Sequence, residues 1–364
     1  MTDQALRPQG LPVVASAGVA ARFALGRRRS RLLLVGSAIA VLVAVAAGLL
    51  LGSVPLAPAD VIAIIAHRLG LDVPVTWSPS AETIVLELRL PRVLAALAVG
   101  TGLALAGATL QGLLRNPLAD PYVLGTSSGA ALGVSIALLV PVNVVLVGLG
   151  LVQLLAFGGA VLAVVVVYQL ARAGALTSMT SVLLTGYDVG SLLAAGLSLT
   201  MYLAGTTLRQ IFLYLLGSFA LASWQQLALG LPIIVAASTL LLLRGRSLNA
   251  MLLGEDTASH LGLDVRRERI VLLGLATLLT AASVALAGLI GFVGLVVPHI
   301  VRLMVGPNAR SLLPLSALLG AAFLCLADVV ARLPGELPVG IVTAVVGAPF
   351  FLYLLRRYRA GYQL

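Results

Sequence analysis

The chain has 364 residues, 60% of them hydrophobic and only 10% charged, with a mean hydropathy of +1.11. A soluble surface needs about 25% charged residues, so this composition excludes a water-soluble globular protein and makes lipid the solvent for most of the chain. The net charge of +10 comes from arginine alone; a chain without lysine cannot contain a Gly-x-x-x-x-Gly-Lys-Ser/Thr phosphate loop, so any ATP must be hydrolysed by another polypeptide.

A hydrocarbon core about 30 Å thick needs roughly 20 apolar residues per helix, and ten such runs can be placed. Residues 1–31 are polar, then basic, and read as a cytoplasmic tail before a retained first span at 32–52, not a cleaved signal peptide. An outer polar segment, 53–91, carries Pro55, Pro58, Pro74, Pro79 and Trp77, which predict short turns and one interfacial helix near 59–69. The second span covers 92–114. In the segment Leu113–Gly133 that follows, Asn116-Pro117 and Asp120-Pro121 are turn signals. Thr126, Ser127, Ser128 and Gly129 then enter the third span, 123–141, where the hydroxyls either line a polar path or let helices approach closely.

The fourth and fifth spans are expected at 144–171 and 182–203. Asp188 lies about ten residues into the fifth, roughly 15 Å deep by helix rise. An intramembrane carboxylate marks a functional site by default, the alternatives being a hydrogen bond to a neighbouring helix or protonation. After a sixth span at 225–243 comes the most charged stretch of the chain, MLLGEDTASHLGLDVRRER, Met251–Arg269, with eight titratable residues in nineteen positions. Its apolar residues predict a short amphipathic helix on the inner face, broken at Gly254 and Gly262, that either docks a partner or floats at the interface. Glu255 and Asp256 fall near a helix start, where carboxylates are favoured. A metal cluster of Glu255, Asp256, His260 and Asp264 is the other reading, though it lacks the convergent ligands and second shell such a site needs. The remaining spans are placed at 270–289, 291–305, 311–331 and 338–355, with the join through Gly288, Gly291 and Gly294 the least regular. Cys325, alone and mid-span, reads as a small packing residue.

With both termini in the cytoplasm, eighteen of the 23 arginines lie inside and only Arg68, Arg89, Arg92, Arg209 and Arg332 outside, which fixes the hand by the positive-inside rule. The charge is thus an orientation signal and no nucleic-acid footprint. The tetrapeptide ALAG recurs at 104–107 and 285–288, in helices of opposite direction, as an inverted repeat requires. No polar linker separates domains: the chain reads as one permease domain, 32–358, between the tail at 1–31 and another at 359–364.

Four stretches in order, LRLPRVLAALAVGTGLALAGATLQGLLRNPLADPYVLGTSSGAALG (88–133), LNAMLLGEDTASHLGLDV (248–265), GFVGLVVPHIVRL (291–303) and ELPVGIVTAVVGAPFFLYLL (336–355), resemble the FecCD family of permeases. The resemblance covers roughly 32–358. It implies an all-α polytopic membrane protein with the type II ABC importer fold, ten helices per subunit, in the bacterial cytoplasmic (inner) membrane. It also implies a second permease subunit, expected to be identical, two ATPase subunits holding ATP and Mg, and an external substrate-binding protein. No catalytic residue, metal or cofactor is expected on this chain. The segment at 247–264 matches the family's coupling region, with Leu253, Gly254, Glu255, Ala258, Leu261 and Gly262 as the matching positions. Arg89 and Arg332 match arginines that meet acidic residues of the binding protein, against the alternative of helix-end anchors, with Asp328 a local partner for Arg332. Thr177–Ser181, with Met179 and Thr180, aligns with an inner gate, and Thr126, Ser127, Ser128 and Asp188 join it as a candidate translocation path. The cargo implied is an iron chelate, a ferric siderophore, with cobalamin or haem carried by the same machine as the alternatives. An ion-coupled secondary transporter needs midplane carboxylates, for which Asp188 is the one convincing candidate. An intramembrane enzyme is disfavoured because His67, His260 and His299 fall in three separate segments.

Overall fold

The computed structural model describes residues 14–140, 145–146, 149–173, 179–333 and 335–361. Seven of its helices are long and apolar enough to cross a membrane, and three shorter apolar helices, Thr126–Leu139, Val293–Val305 and Val339–Tyr353, complete the ten expected places. In chain order the helices are α1 (Val14–Leu50), α2 (Pro58–Arg68), α3 (Pro79–Thr83), α4 (Leu90–Leu113), α5 (Thr126–Leu139), α6 (Leu151–Ala173), α7 (Met179–Leu203), α8 (Leu208–Leu215), α9 (Trp224–Leu243), α10 (Gly245–Leu252), α11 (Glu255–His260), α12 (Val265–Ala287), α13 (Val293–Val305), α14 (Ala309–Arg332) and α15 (Val339–Gly361).

Three boundaries differ from the sequence expectation. Helix α1 begins at Val14, inside the stretch read as a tail, because the Ala-rich run there has good helix formers and no proline. Pro79–Leu113 is one continuous 35-residue helix, α3 joining α4 through a π-helical turn at Ile84–Arg89. Pro79 sits in the first turn of α3, where a missing N–H breaks no bond, whereas Pro91 falls inside the continuous helix just after the π-helical turn, and the Leu86 carbonyl accepts from the Trp224 indole at 3.0 Å. At roughly 52 Å this helix overshoots the hydrocarbon, so residues read as an outer loop extend it into the headgroup region. The start of the expected fourth span is instead a small antiparallel hairpin pairing Val145 with Gly150 and Leu146 with Leu149, and α6 begins only at Leu151. The interfacial helix foreseen near 59–69 is α2.

Helix α4 is the axis of the bundle, buried at nearly every position and packed against α14, α12, α13 and α9. Helix α1 lies on α14, α6 joins α12 to α5, and α7 packs on α5 and α6. A Cβ on Gly100 would stand 2.2 Å from the carbonyl oxygen of Gly320, so α4 and α14 touch backbone to backbone, the small-residue contact that membrane helices use in place of a hydrophobic driving force. The irregular join between α12 and α13 is sheltered as expected: the Tyr122 hydroxyl donates to the Ile290 carbonyl (3.1 Å) and accepts from its N–H (3.2 Å), and the Ser218 N–H donates to the Ala287 carbonyl at 2.8 Å. Cys325 is buried against the α1 backbone.

Candidate functional site

The C-terminal ends of α1 and α14 and the N-terminal end of α4 meet at a cluster of three arginines and two carboxylates. Asp328 and Arg332 sit one turn apart on α14 and pair at 2.5 Å. Arg92, in the first turn of α4, closes on the same carboxylate, its Nε 3.1 Å from each oxygen and its Nη2 3.0 Å from Oδ1. Its remaining nitrogen, Nη1, donates to Glu336 at 2.7 Å. Glu336 reaches that position with a left-handed backbone, φ 61°, a strain of about 1–3 kcal/mol that the ion pair helps offset.

Arg89 and Arg332 both turn to the C-terminal end of α1. Arg89 Nη1 donates to the carbonyls of Leu49 (2.7 Å) and Leu50 (3.0 Å), its Nη2 donates to that of Val54, and Arg332 Nη1 donates to that of Gly48 at 3.0 Å. Carbonyls at a helix C-terminus lack partners and carry partial negative charge, so cations belong there. The two expected docking arginines are therefore brought together, but as anchors: Arg89 is 5%, Arg92 9% and Arg332 3% exposed. Asp328 and the α1 carbonyls supply acceptors within the same chain, the arrangement of the helix-end alternative. The cluster still holds one more positive than negative charge, and a cavity of about 260 Å³ lies over it, lined by Gly52, Ser53, Arg89, Arg92, Arg332 and Glu336. Sequence reasoning missed the part of Arg92. The signal was present, since Arg89 and Arg92 are three apart and share a helix face.

At the opposite end of the bundle, the expected amphipathic helix is two short ones, α10 and α11, separated at Leu253-Gly254. Gly254 has φ 121° and Gly262 φ 80°, conformations that a side chain disfavours, and they break the chain where the sequence pattern placed them. Leu248 and Met251 bury α10 into the bundle, and Ala258 buries α11. The rest of the region is tied to the long helices. Arg115, at the end of α4, donates to the Met251 carbonyl at 3.0 Å. Asn249 donates to Asn308, the cap of α14, at 2.9 Å and accepts from the Ala309 N–H at 2.7 Å. Arg244 pairs with Glu268 at 2.5 Å, and Glu255 pairs with Arg269. Among the exposed residues of the region, beside polar ones such as Asp256, Thr257, Ser259 and His260, is an apolar pair, Leu253 at 67% and Leu261 at 66% exposure. Of the four residues of the metal reading, Asp264 caps α12 by accepting from the Arg267 N–H (3.0 Å) and Glu255 is held in its ion pair, so the set does not converge.

Of the candidate path residues, Thr126 is buried and donates to the Pro121 carbonyl at 3.0 Å, fixing the turn into α5. Ser127 and Ser128 are half-buried beside it, and Asp188 is exposed on α7 together with Tyr187 and Ser191. Thr177 and Ser178 lie outside the described residues, as do the side chains of Met179 and Thr180, whose backbone opens α7. The three histidines stand apart: His67 lies edge-on to Trp77, His299 edge-on to Phe350, and His260 ends α11.

The sequence profile of the FecCD transport family matches residues 31–357. The chain is 48% identical over 278 residues to a cobalamin import system permease protein of Halobacterium salinarum, covering 76% of this chain and 74% of that one. It is 40% identical over 300 residues to the hemin transport system permease protein of Yersinia pestis, covering 80% and 90%. Among solved structures, one described as an inward-facing conformation of a metal-chelate type ABC transporter matches with a TM-score of 0.75 at 32% identity, covering 89% of this chain and 98% of the other.

Proposed function

The chain belongs to the FecCD transport family, and from that premise we propose that two copies of it form the membrane pore of an ATP-driven importer for a metal chelate. The single observation that carries this is the family match, which spans the whole ten-helix bundle. The protein is a multi-pass permease, and its energy enters from outside. In this reading two ATPase subunits, holding ATP and Mg, seat the Leu253 and Leu261 side chains. Their closure moves α10 and α11, and the ties to α4, α12 and α14 convey that movement into the bundle. At the opposite face an external binding protein with acidic groups docks over the cavity above Arg89, Arg92 and Arg332, and its carboxylates compete with Asp328 and Glu336 for guanidinium donors. Both termini lie in the cytoplasm and the membrane is the bacterial inner membrane, as the arginine distribution supports.

The pore lies between copies. A carboxylate is too costly to face hydrocarbon, and Asp188 is exposed on α7 alongside Tyr187 and Ser191, a face that a second permease would cover or that water would fill. The cargo proposed is a ferric siderophore. Cobalamin is the second reading, favoured by the 48% identity to a cobalamin permease.

Reconstitution tests both levels. Co-expression with the cognate ATPase and binding protein, followed by uptake into vesicles, is expected to require internal ATP, and mass spectrometry of the purified binding protein identifies the chelate. Uptake that proceeds without ATP and collapses with the proton gradient overturns the importer reading. A captured corrinoid keeps the machine and replaces the siderophore.

A further inference from the structure

Between α6 and α12, away from the arginine cluster and from the exposed face of α7, runs a cavity of about 440 Å³. Its walls are Val161, Val164 and Val165 on α6 and Ile270, Leu273 and Leu278 on α12. Gly274 forms a notch in it: a Cβ there would meet nothing within 4 Å. The lining changes character along its length, since Tyr168, Gln169 and Arg172 stand at one end. From Val161 to Arg172 the groove follows α6 for about 16 Å, half of a hydrocarbon core about 30 Å thick and so the depth of one leaflet.

The polar end carries a definite charge. Arg172 is exposed and forms no ion pair with a carboxylate among the described residues. Arg266 and Arg267, exposed on the first turn of α12, add positive charge at the same end of the helix pair. Tyr168 and Gln169 add a hydroxyl and an amide, which suit phosphate and glycerol oxygens.

The geometry points to a site for one anionic phospholipid, with an acyl chain in the groove at the Gly274 notch and the phosphate at Arg172. An apolar trough of leaflet depth ending in unpaired arginine is complementary to that ligand; a helix of a second copy would leave the guanidinium without an anion. The lipid joins α6 to α12, the helix whose first turn continues directly from α11. The site itself is independent of transport and of the orientation proposed above.

The test uses the full chain with its partner subunits in detergent. Native mass spectrometry after graded delipidation, with phosphatidylglycerol and phosphatidylcholine supplied equally, is expected to show phosphatidylglycerol retained about fivefold over phosphatidylcholine, what one arginine at an anionic headgroup contributes. Arg172→Gln should abolish the preference, and Gly274→Leu, whose Cβ has open space and whose side chain fills the notch, should abolish retention of either lipid. A photoactivatable phosphatidylglycerol should label α6 or α12 in the wild type and not in Gly274→Leu. Equal retention of the two lipids by the wild type, unchanged retention in Gly274→Leu, or cross-linking of this groove to a second copy of the chain would overturn the proposal. Loss of ATP-driven uptake with the lipid preference intact would count against the transport reading alone.

Discussion

Arg92 and Asp328, 236 residues apart in sequence, are joined by three hydrogen bonds of 3.0–3.1 Å inside the protein. Arg332 holds the same carboxylate from the other side. A single acid is thus shared between two buried cations.

Asp328→Ala therefore leaves Arg332 buried without its counter-charge and Arg92 with Glu336 alone. The expected loss is about 3–5 kcal/mol, the usual penalty for breaking a buried ion pair from one side. Thermal unfolding of the purified protein in detergent checks this. Asp328→Ala combined with Arg92→Met should recover part of the loss, which separates stranded charge from lost packing.

Leu253→Asp and Leu261→Asp act where the side chain touches solvent. Stability should stay within about 0.5 kcal/mol of wild type, as for most surface changes. Copurification of the ATPase and ATP-driven uptake should both fall. A stable variant that still binds the ATPase would remove these leucines from the docking surface.

Asp188→Asn retains shape and removes charge. If the α7 face lines the pore, initial uptake should fall at least about tenfold, a loss of some 1.4 kcal/mol in the barrier, while assembly and stability hold. Uptake unchanged for every candidate chelate would return Asp188 to a structural part.

Asp120, in the loop between α4 and α5, has its carboxyl pushed above the ordinary carboxylate range by burial, opposed by the hydrogen bond it accepts from the Tyr122 N–H. The folded state thus prefers the protonated acid. The stability this provides is full below the unfolded value of about 3.9 and is lost as pH rises through the raised folded value. Asp120→Asn keeps the acceptor and removes the charge, so it should be at least as stable as wild type at pH 7 and show a flatter decline just above pH 4. Unfolding midpoints in detergent from pH 4 to 7 measure both.

Ten apolar runs were legible because the lipid solvent imposes one composition over about 20 residues at a time, and that signal survives without any knowledge of neighbours. The breaks at Gly254 and Gly262 were also legible, since glycine was the clue to positive φ. Helix ends outside the bilayer were not: α1 extends back to Val14 and α4 is prolonged through α3 by local propensity, which hydropathy does not register. The Asp328–Arg332 pair, four residues apart, was legible, but the attachment of Arg89 and Arg332 to α1 was hidden for a different reason. Whether an arginine faces water or the end of α1 depends on contacts across 40 and 284 residues, and no local pattern encodes them.

Gly100 and Gly320 lie near the middle of α4 and α14, and their backbones meet with no side chain between. With one pair of ends clasped through Asp328 and the other hung on Asn249 and Arg115, the two helices form one stiff strut, and a push received at either face of the membrane is carried to the other.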